Sequence, residues 1–213
     1  DSLRVRYRSD LPLVLDGVSA DIEGASKVGV CGRTGSGKSS LMLALCRLNQ
    51  VHSGRVLIDG IDVATLPLEV LRGCIGVIPQ TPSLFSGSLR YNVDPGDACS
   101  DDEIEKALAS SGMRKPLDFR IEEAGRNLSV GEKQCVSLAR ALCLKRRIYI
   151  MDEATANIDY ETDGKIQRML REHPTFTNST LITVAHRLET IRDSDRIIVL
   201  DAGTVVEKGA PSE

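Results

Sequence analysis

The sequence predicts an α/β fold: a mostly parallel sheet flanked by helices, with an antiparallel β layer at its edge. Three observations carry this. From residue 27 onward, apolar runs of four or five residues alternate with segments of helical periodicity, the pattern of strand–helix–strand units. The first of these runs leads into a glycine-rich loop, residues 32–39, that opens a helical segment. Within the first 63 residues, alternating segments and a tight Asp-Gly turn supply the antiparallel part.

Residues 1–21 alternate apolar and polar side chains (Leu3, Val5, Tyr7, then Leu13, Leu15, Val18), as half-buried strands do. Residues 27–31 (KVGVC) form a buried strand, and residues 39–48 carry Leu41, Leu45 and Leu48 at helical spacing. Residues 55–63 (RVLIDGIDV) read as two short strands around Asp59-Gly60, a strong hairpin turn. Residues 75–78 are another apolar strand. Residues 101–110 open a helix with acidic side chains, which the positive end of the helix dipole favours. Over residues 129–144, Cys135, Leu138 and Leu142 share one helical face, and Ser129 with Glu132 forms an S-x-x-E capping box. Residues 148–151 and 181–185 are buried strands on either side of a helix marked by Ile166, Met169 and Leu170. Residues 197–200 and 204–207 close the chain as a pair around Asp201-Ala202-Gly203.

A chain of 213 residues, 41 % hydrophobic, is long enough for one such domain with a full core. A formal net charge of −3 leaves no electrostatic footprint for nucleic acid, and no nucleic-acid partner is expected. Aromatic residues are scarce and Trp is absent, so aromatic stacking is available at very few positions, Tyr7 among them. The six cysteines (Cys31, Cys46, Cys74, Cys99, Cys135, Cys143) show no C-x-x-C pair and no zinc spacing with His. They read as reduced core thiols in a cytosolic compartment. No signal peptide is visible, and no apolar run approaches the ~20 residues that span a bilayer. A transport role therefore needs membrane segments from elsewhere.

Gly32-Arg33-Thr34-Gly35-Ser36-Gly37-Lys38-Ser39 matches G-x-x-x-x-G-K-[ST] in full. The glycines allow a tight loop whose backbone N–H groups form a nest for phosphate oxygens. Lys38 brings a point charge to the β and γ phosphates, and the Ser39 hydroxyl is a Mg²⁺ ligand. The loop, with Ser40 just beyond it, opens a helix whose dipole adds to the cradle. The strand Ile148-Tyr149-Ile150-Met151 ends in Asp152-Glu153. Asp152 is placed to hold Mg²⁺, and Glu153, pointing elsewhere, to polarise an attacking water. A nucleotide's phosphate chain and Mg²⁺ are the expected ligands of this loop; which nucleotide is left open by it.

A phosphate loop does not choose among a kinase, a GTPase, a helicase and a transporter motor. Residues 127–134, Asn127-Leu128-Ser129-Val130-Gly131-Glu132-Lys133-Gln134, make the choice. They resemble the LSGGQ signature of ATP-binding cassette (ABC) proteins, and the resemblance covers essentially the whole chain. Tyr7 resembles the A-loop aromatic that stacks on adenine. Gln80, in IPQTPSLF, resembles the Q-loop glutamine that links the metal to the transmembrane coupling helix. Residues 122–126 lie where the X-loop sits, Ala156-Asn157-Ile158-Asp159 resembles the D-loop, and His186 in VAHRL resembles the switch histidine. In fine pattern (LRVRYRSD, VGVCGRTGSGKSS, LFSGSLRYNVDP, LSVGEKQ and AHRLETIRDSDRIIVLDAG) the chain is similar to the second nucleotide-binding domain of multidrug-resistance-associated-protein (C-subfamily) exporters.

The resemblance implies a P-loop NTPase core with an antiparallel β subdomain and a small helical signature subdomain at about residues 85–145, all in one domain spanning 1–213. It implies a motor that hydrolyses Mg-ATP to power export through separate transmembrane domains at the cytoplasmic face of a membrane. Two such domains meet head to tail, here with a heterologous partner. Tyr7, residues 32–40 and Gln80 then hold nucleotide and metal in cis, together with Asp152. Glu153 and His186 position water and stabilise charge, while Ser129 and Gly131 act on nucleotide held by the partner. It also implies a domain cut from a longer transporter, since the chain enters mid-strand at Asp1 and stops after GAPSE. Alone, the domain is expected to show weak or concentration-dependent ATPase activity. Val130 replaces a signature glycine, as in the C-subfamily pattern. Glu132 stands where Gln is usual, a charge that disfavours a nearby phosphate. The stretch from Asp101 to Leu128 is several residues short, so a trimmed helical subdomain is expected. Lys38 and Glu153, both present, argue against a purely regulatory ATP-binding module. No tandem cassette, coiled-coil insertion or basic patch points to a soluble cassette acting on ribosomes or DNA.

Overall fold

The buried apolar runs pair into one sheet. The computed structural model describes residues 1–152, 158, 160–185 and 187–211. In chain order these give β1 (Leu3–Val5), β2 (Leu15–Val18), β3 (Lys27–Gly32), α1 (Lys38–Leu45), β4 (Val51–Ser53), β5 (Leu57–Ile58), β6 (Ile61–Asp62), α2 (Leu68–Cys74) and β7 (Ile75–Ile78). Then follow β8 (Gly87–Ser88), α3 (Leu89–Val93), α4 (Asp101–Ser111), β9 (Arg120–Ile121) and α5 (Val130–Leu144). The chain closes with β10 (Ile148–Asp152), α6 (Tyr160–Glu172), α7 (Pro174–Thr177), β11 (Thr180–Val184), α8 (Leu188–Ile191), β12 (Arg196–Asp201) and β13 (Thr204–Gly209). These elements fall into two compact units.

The first unit comprises Asp1–Gly76, Arg147–Asp152 and the chain from Ser179 on. Its large sheet has the order β13-β12-β3-β11-β10-β7. Strands β12, β3, β11 and β10 run parallel, with Ile198 beside Val30, Val30 beside Val184, and Ile182 beside Ile150. Strands covered on both faces need apolar side chains at every position, which is why they read as unbroken runs. A second, antiparallel sheet, β2-β1-β4, buries Leu3, Val5, Leu15 and Val18 in the same core as Val30, Met42, Ile150 and Ile198. Each such side chain contributes roughly 1.5–3 kcal/mol when fully buried. The β5–β6 hairpin turns through Asp59 (φ 51) and Gly60 (φ 79), the paired left-handed conformations that a two-residue loop requires.

The second unit is helical and holds Val77–Arg146 with the helices α6 and α7. Helix α4 packs on α5 and α6, and α3 packs on α5. Helix α5 buries Val136, Leu138, Ala139 and Leu142, and α6 buries Ile166, Met169 and Leu170. Both α4 and α5 begin with complete capping boxes, Ser100 with Glu103 and Ser129 with Glu132. Asn92, fully buried, receives the Phe85 N–H at 2.8 Å and donates to the carbonyls of Phe85 and Ser88. It knots the segment that follows Gln80.

Two expectations change, and four short helices carry no sequence signal. The helix expected over 39–48 ends at Leu45, because Arg47 turns to φ 50 and donates its guanidinium to the Val63 and Leu66 carbonyls. Leu48 therefore leaves the apolar face and is 59 % exposed. Helices α2, α3, α7 and α8 have four to seven residues, too short to show helical periodicity. Of the six cysteines, all free thiols, only Cys46 and Cys135 are core residues; the other four are half-buried at element ends and edges. No helix among the described residues is long and apolar enough to cross a membrane.

Candidate nucleotide site

In the first unit, β3 delivers the chain into the phosphate loop and α1 leaves it. Glycine is required sterically at two points. A Cβ on Gly32 (φ 152) would lie 2.2 Å from the Leu200 carbonyl oxygen, and one on Gly37 (φ 104) 2.6 Å from the Leu15 side chain. At Gly35 (φ 83) the requirement is conformational, since nothing lies within 4 Å of its Cβ position. The loop is braced from behind by the β12–β13 turn: the Gly203 N–H donates to the Ser36 carbonyl at 3.1 Å, and its carbonyl accepts from Asp16. Gly203 itself has no room for a side chain, with the Val14 carbonyl oxygen 2.5 Å from its Cβ position.

Lys38 is buried at the first position of α1 and donates to the Gly32 and Arg33 carbonyls at 2.7 and 3.1 Å. Burial lowers its pKa below the ordinary lysine range; Cys31 and the Asp152 carboxylate act against that shift. Asp152 ends β10 level with Val184, so the parallel sheet brings its charge into the field of Lys38. The Ser36 hydroxyl is buried with no hydrogen-bond partner, a costly arrangement for a polar group and one that an anionic oxygen in the loop would relieve. Ser39 is exposed, as are Arg33, Thr34 and Gly35. A buried ammonium, an unpartnered hydroxyl and glycine-only backbone together fit a phosphate chain.

Tyr7 is 52 % exposed, and its hydroxyl is 2.8 Å from that of Ser40. The Ser40 side chain thus fixes the ring at the start of α1. Only its backbone N–H, among the unpaired donors of the helix start, remains for an anion. The second unit holds Gln80, Ser129 and Gly131. Gln80 is exposed, and its carbonyl accepts from the side chain of buried Gln134 at 2.8 Å, as that of Pro79 does at 3.1 Å. Ser129 and Val130 are exposed at the N-terminus of α5. At Gly131 an added Cβ would lie 3.2 Å from Thr162. In the 122–126 stretch the turn is pinned by Asn127, which accepts from the Glu122 N–H and donates to the Arg120 carbonyl.

The Glu132 carboxylate turns back into the capping box, accepting the Ser129 N–H at 2.8 Å, and pairs with the Lys115 ammonium at 3.1 Å. Burial alone would push this carboxyl up; the Ser129 N–H and then Lys115 hold it below its ordinary value. The charge that set this signature apart is thus met by a cation. Glu153, His186, Ala156, Asn157 and Asp159 lie outside the described residues. Sequence reasoning missed Gly203, Gln134 and Lys115. A turn glycine, a helical glutamine and a loop lysine carry no motif of their own, although Gln134 stood inside the quoted LSVGEKQ.

Comparison with known proteins agrees with this geometry. The family described as ABC transporter matches residues 15–156. ATP-binding cassette sub-family C member 2 of Mus musculus is 47 % identical over 220 aligned residues, covering 100 % of this chain and 14 % of that protein. Multidrug resistance protein mrp-7 of Caenorhabditis elegans is 47 % identical over 218 residues, covering 99 % of this chain and 14 % of its own length. The chain thus spans about one seventh of these relatives. A bacterial Atm1-family ABC exporter solved with ATP bound superposes with a TM-score of 0.92 at 34 % identity, covering 100 % of this chain and 38 % of the exporter chain. The chain belongs to the ABC transporter family, as a nucleotide-binding domain of the C-subfamily exporter type.

Proposed function

We propose that this domain binds Mg-ATP and hydrolyses it in a head-to-tail pair with a second, non-identical nucleotide-binding domain, powering export through transmembrane domains at the cytoplasmic face of a membrane. The observation that carries the reading is the phosphate loop, with its glycine-only backbone, buried Lys38 and unpartnered Ser36 hydroxyl. We assign Gly32, Arg33, Thr34, Gly35, Ser36, Gly37 and Ser40 to the phosphates through the loop and helix start, and Tyr7 to adenine through its open ring face. Ser39, Asp152 and Gln80 are the metal-holding set. ATP supplies the transferable phosphoryl group, and Mg²⁺ neutralises charge on its oxygens. Lys38 adds a fixed positive charge in a site where burial strengthens it. Glu153 takes the role of general base, and His186 that of a charge-stabilising contact.

The exposed N-terminus of α5 supports closure over nucleotide held by another chain, since its orphan N–H groups and dipole favour an anion. Ser129 and Gly131 are assigned there, in trans. Next to the Asn92 knot, Phe85 and Tyr91 are 55 % and 48 % exposed and meet edge to face at 6.4 Å. Such an exposed aromatic pair suits a protein partner, and we assign it to a transmembrane domain.

The test is phosphate release and nucleotide binding by wild type, Lys38→Ala and Glu153→Gln. Wild type is expected to bind and turn over Mg-ATP. Lys38→Ala should lose binding, and Glu153→Gln should keep binding while losing turnover. Turnover that survives Glu153→Gln would contradict the assigned chemistry.

A further inference from the structure

Two thiols of the second unit meet where α4 begins and α5 ends. Cys99 directly precedes Ser100, the N-cap of α4, and Cys143 stands in the last turn of α5. The Cys99 thiol donates to the Cys143 carbonyl at 3.7 Å, which brings the Cys99 sulfur against the backbone of the second cysteine. Both are half-buried and line a cleft of about 190 Å³ with Glu103, Lys106, Lys145 and His173. The junction is braced without them. Lys145, the C-cap of α5, pairs with Glu103 of α4 at 2.8 Å, and the Cys99 N–H donates to Asp94 at 2.7 Å. The two cysteines thus share one cleft, at a junction that other contacts hold in place. Neither thiol takes part in the proposed nucleotide chemistry.

We propose that Cys99 and Cys143 form a reversible disulfide, an oxidant-responsive clip between the start of α4 and the end of α5. The two sulfurs have different tasks. Cys99 lies just ahead of α4 and lines the cleft, where it meets the oxidant. Cys143 lies at the negative end of α5; burial first, and the Cys99 sulfur next, push its thiol up to about 12, so it keeps its proton. The oxidant class is a peroxide. The Cys99 sulfur attacks one oxygen of hydrogen peroxide; an S–O bond forms, the O–O bond breaks, and the leaving hydroxide takes up the thiol proton and departs as water. The Cys143 sulfur attacks the Cys99 sulfur, its proton leaves with the displaced hydroxyl as a second water, and the S–S bond closes. Two thiols lose two electrons in all and one peroxide gains them.

The experiment treats the folded chain with a few equivalents of hydrogen peroxide, denatures it in alkylating reagent and maps the peptides without reduction. The expected product is a Cys99–Cys143 cross-linked peptide, about 2 Da lighter than the two thiol peptides together, in most molecules and reversed by dithiothreitol. Cys31, Cys46, Cys74 and Cys135 should be recovered alkylated. In Cys143→Ser, Cys99 should accumulate as a sulfenic acid trapped by dimedone. In Cys99→Ser, Cys143 should stay a thiol. Recovery of Cys99 and Cys143 as separate alkylated or sulfinic species in wild type would overturn the proposal. So would disulfides spread equally over other pairs.

Discussion

Glu132 shows how a single side chain can alter a motif without emptying it. Its carboxylate is spent on the Ser129 N–H and on Lys115, so little of its charge is free to oppose a phosphate near the helix start. If Lys115 is what keeps the signature usable, Lys115→Met should lower turnover by roughly five-fold, the effect of a loss of about 1 kcal/mol. In an Glu132→Gln background the same change should do almost nothing. Equal losses in both backgrounds would assign Lys115 a different job. The loop glycines give a second prediction. Gly32→Ala places a Cβ 2.2 Å from the Leu200 carbonyl oxygen at φ 152, an overpacking that costs about 1–3 kcal/mol, read as a shift in urea midpoint at unchanged slope. At this scale the motif residues were legible because phosphate chemistry restricts residue type. Lys115, Gln134 and Gly203 were not, since their roles come from neighbours distant in sequence.

Among the elements, α4 and α5 owe their starts to capping boxes that the Ser-x-x-Glu spacing displays. Glu103 goes further: the Lys145 ammonium first, then the Ser100 N–H, hold its carboxyl at about 2 against an ordinary 4.5. A depressed carboxylate stabilises the fold above its unfolded pKa and loses that contribution as pH falls through the folded value. The melting temperatures of wild type and Glu103→Gln should therefore differ by a constant amount above about pH 5, converge between 4.5 and 2, and coincide below. A gap that widens toward acid would contradict this pairing. Long periodic helices and buried strands were legible because burial on a fixed face imposes a period. The end of α1 was not, because a left-handed Arg47 bonded to the Val63 and Leu66 carbonyls is decided by tertiary contacts.

For the whole molecule, parallel strand pairing sets Asp152 in the field of Lys38, while the signature and Gln80 belong to the other compact unit. Relatives of seven times its length and a solved exporter share this fold, which fits a domain that works beside others. The exposed Phe85–Tyr91 pair is where this is most testable: Phe85→Ala with Tyr91→Ala should leave nucleotide binding intact and weaken association with a transmembrane domain, measured by co-purification. Strand order was legible only as a class, because alternating apolar runs fix which segments are buried and not which ones pair.

The most direct measurement is the rate of phosphate release per molecule from Mg-ATP as protein concentration rises, alone and with a candidate partner cassette. The account predicts a rate that climbs with concentration or with added partner and vanishes in Glu153→Gln. A rate per molecule independent of concentration and of partner would contradict a site shared between two domains.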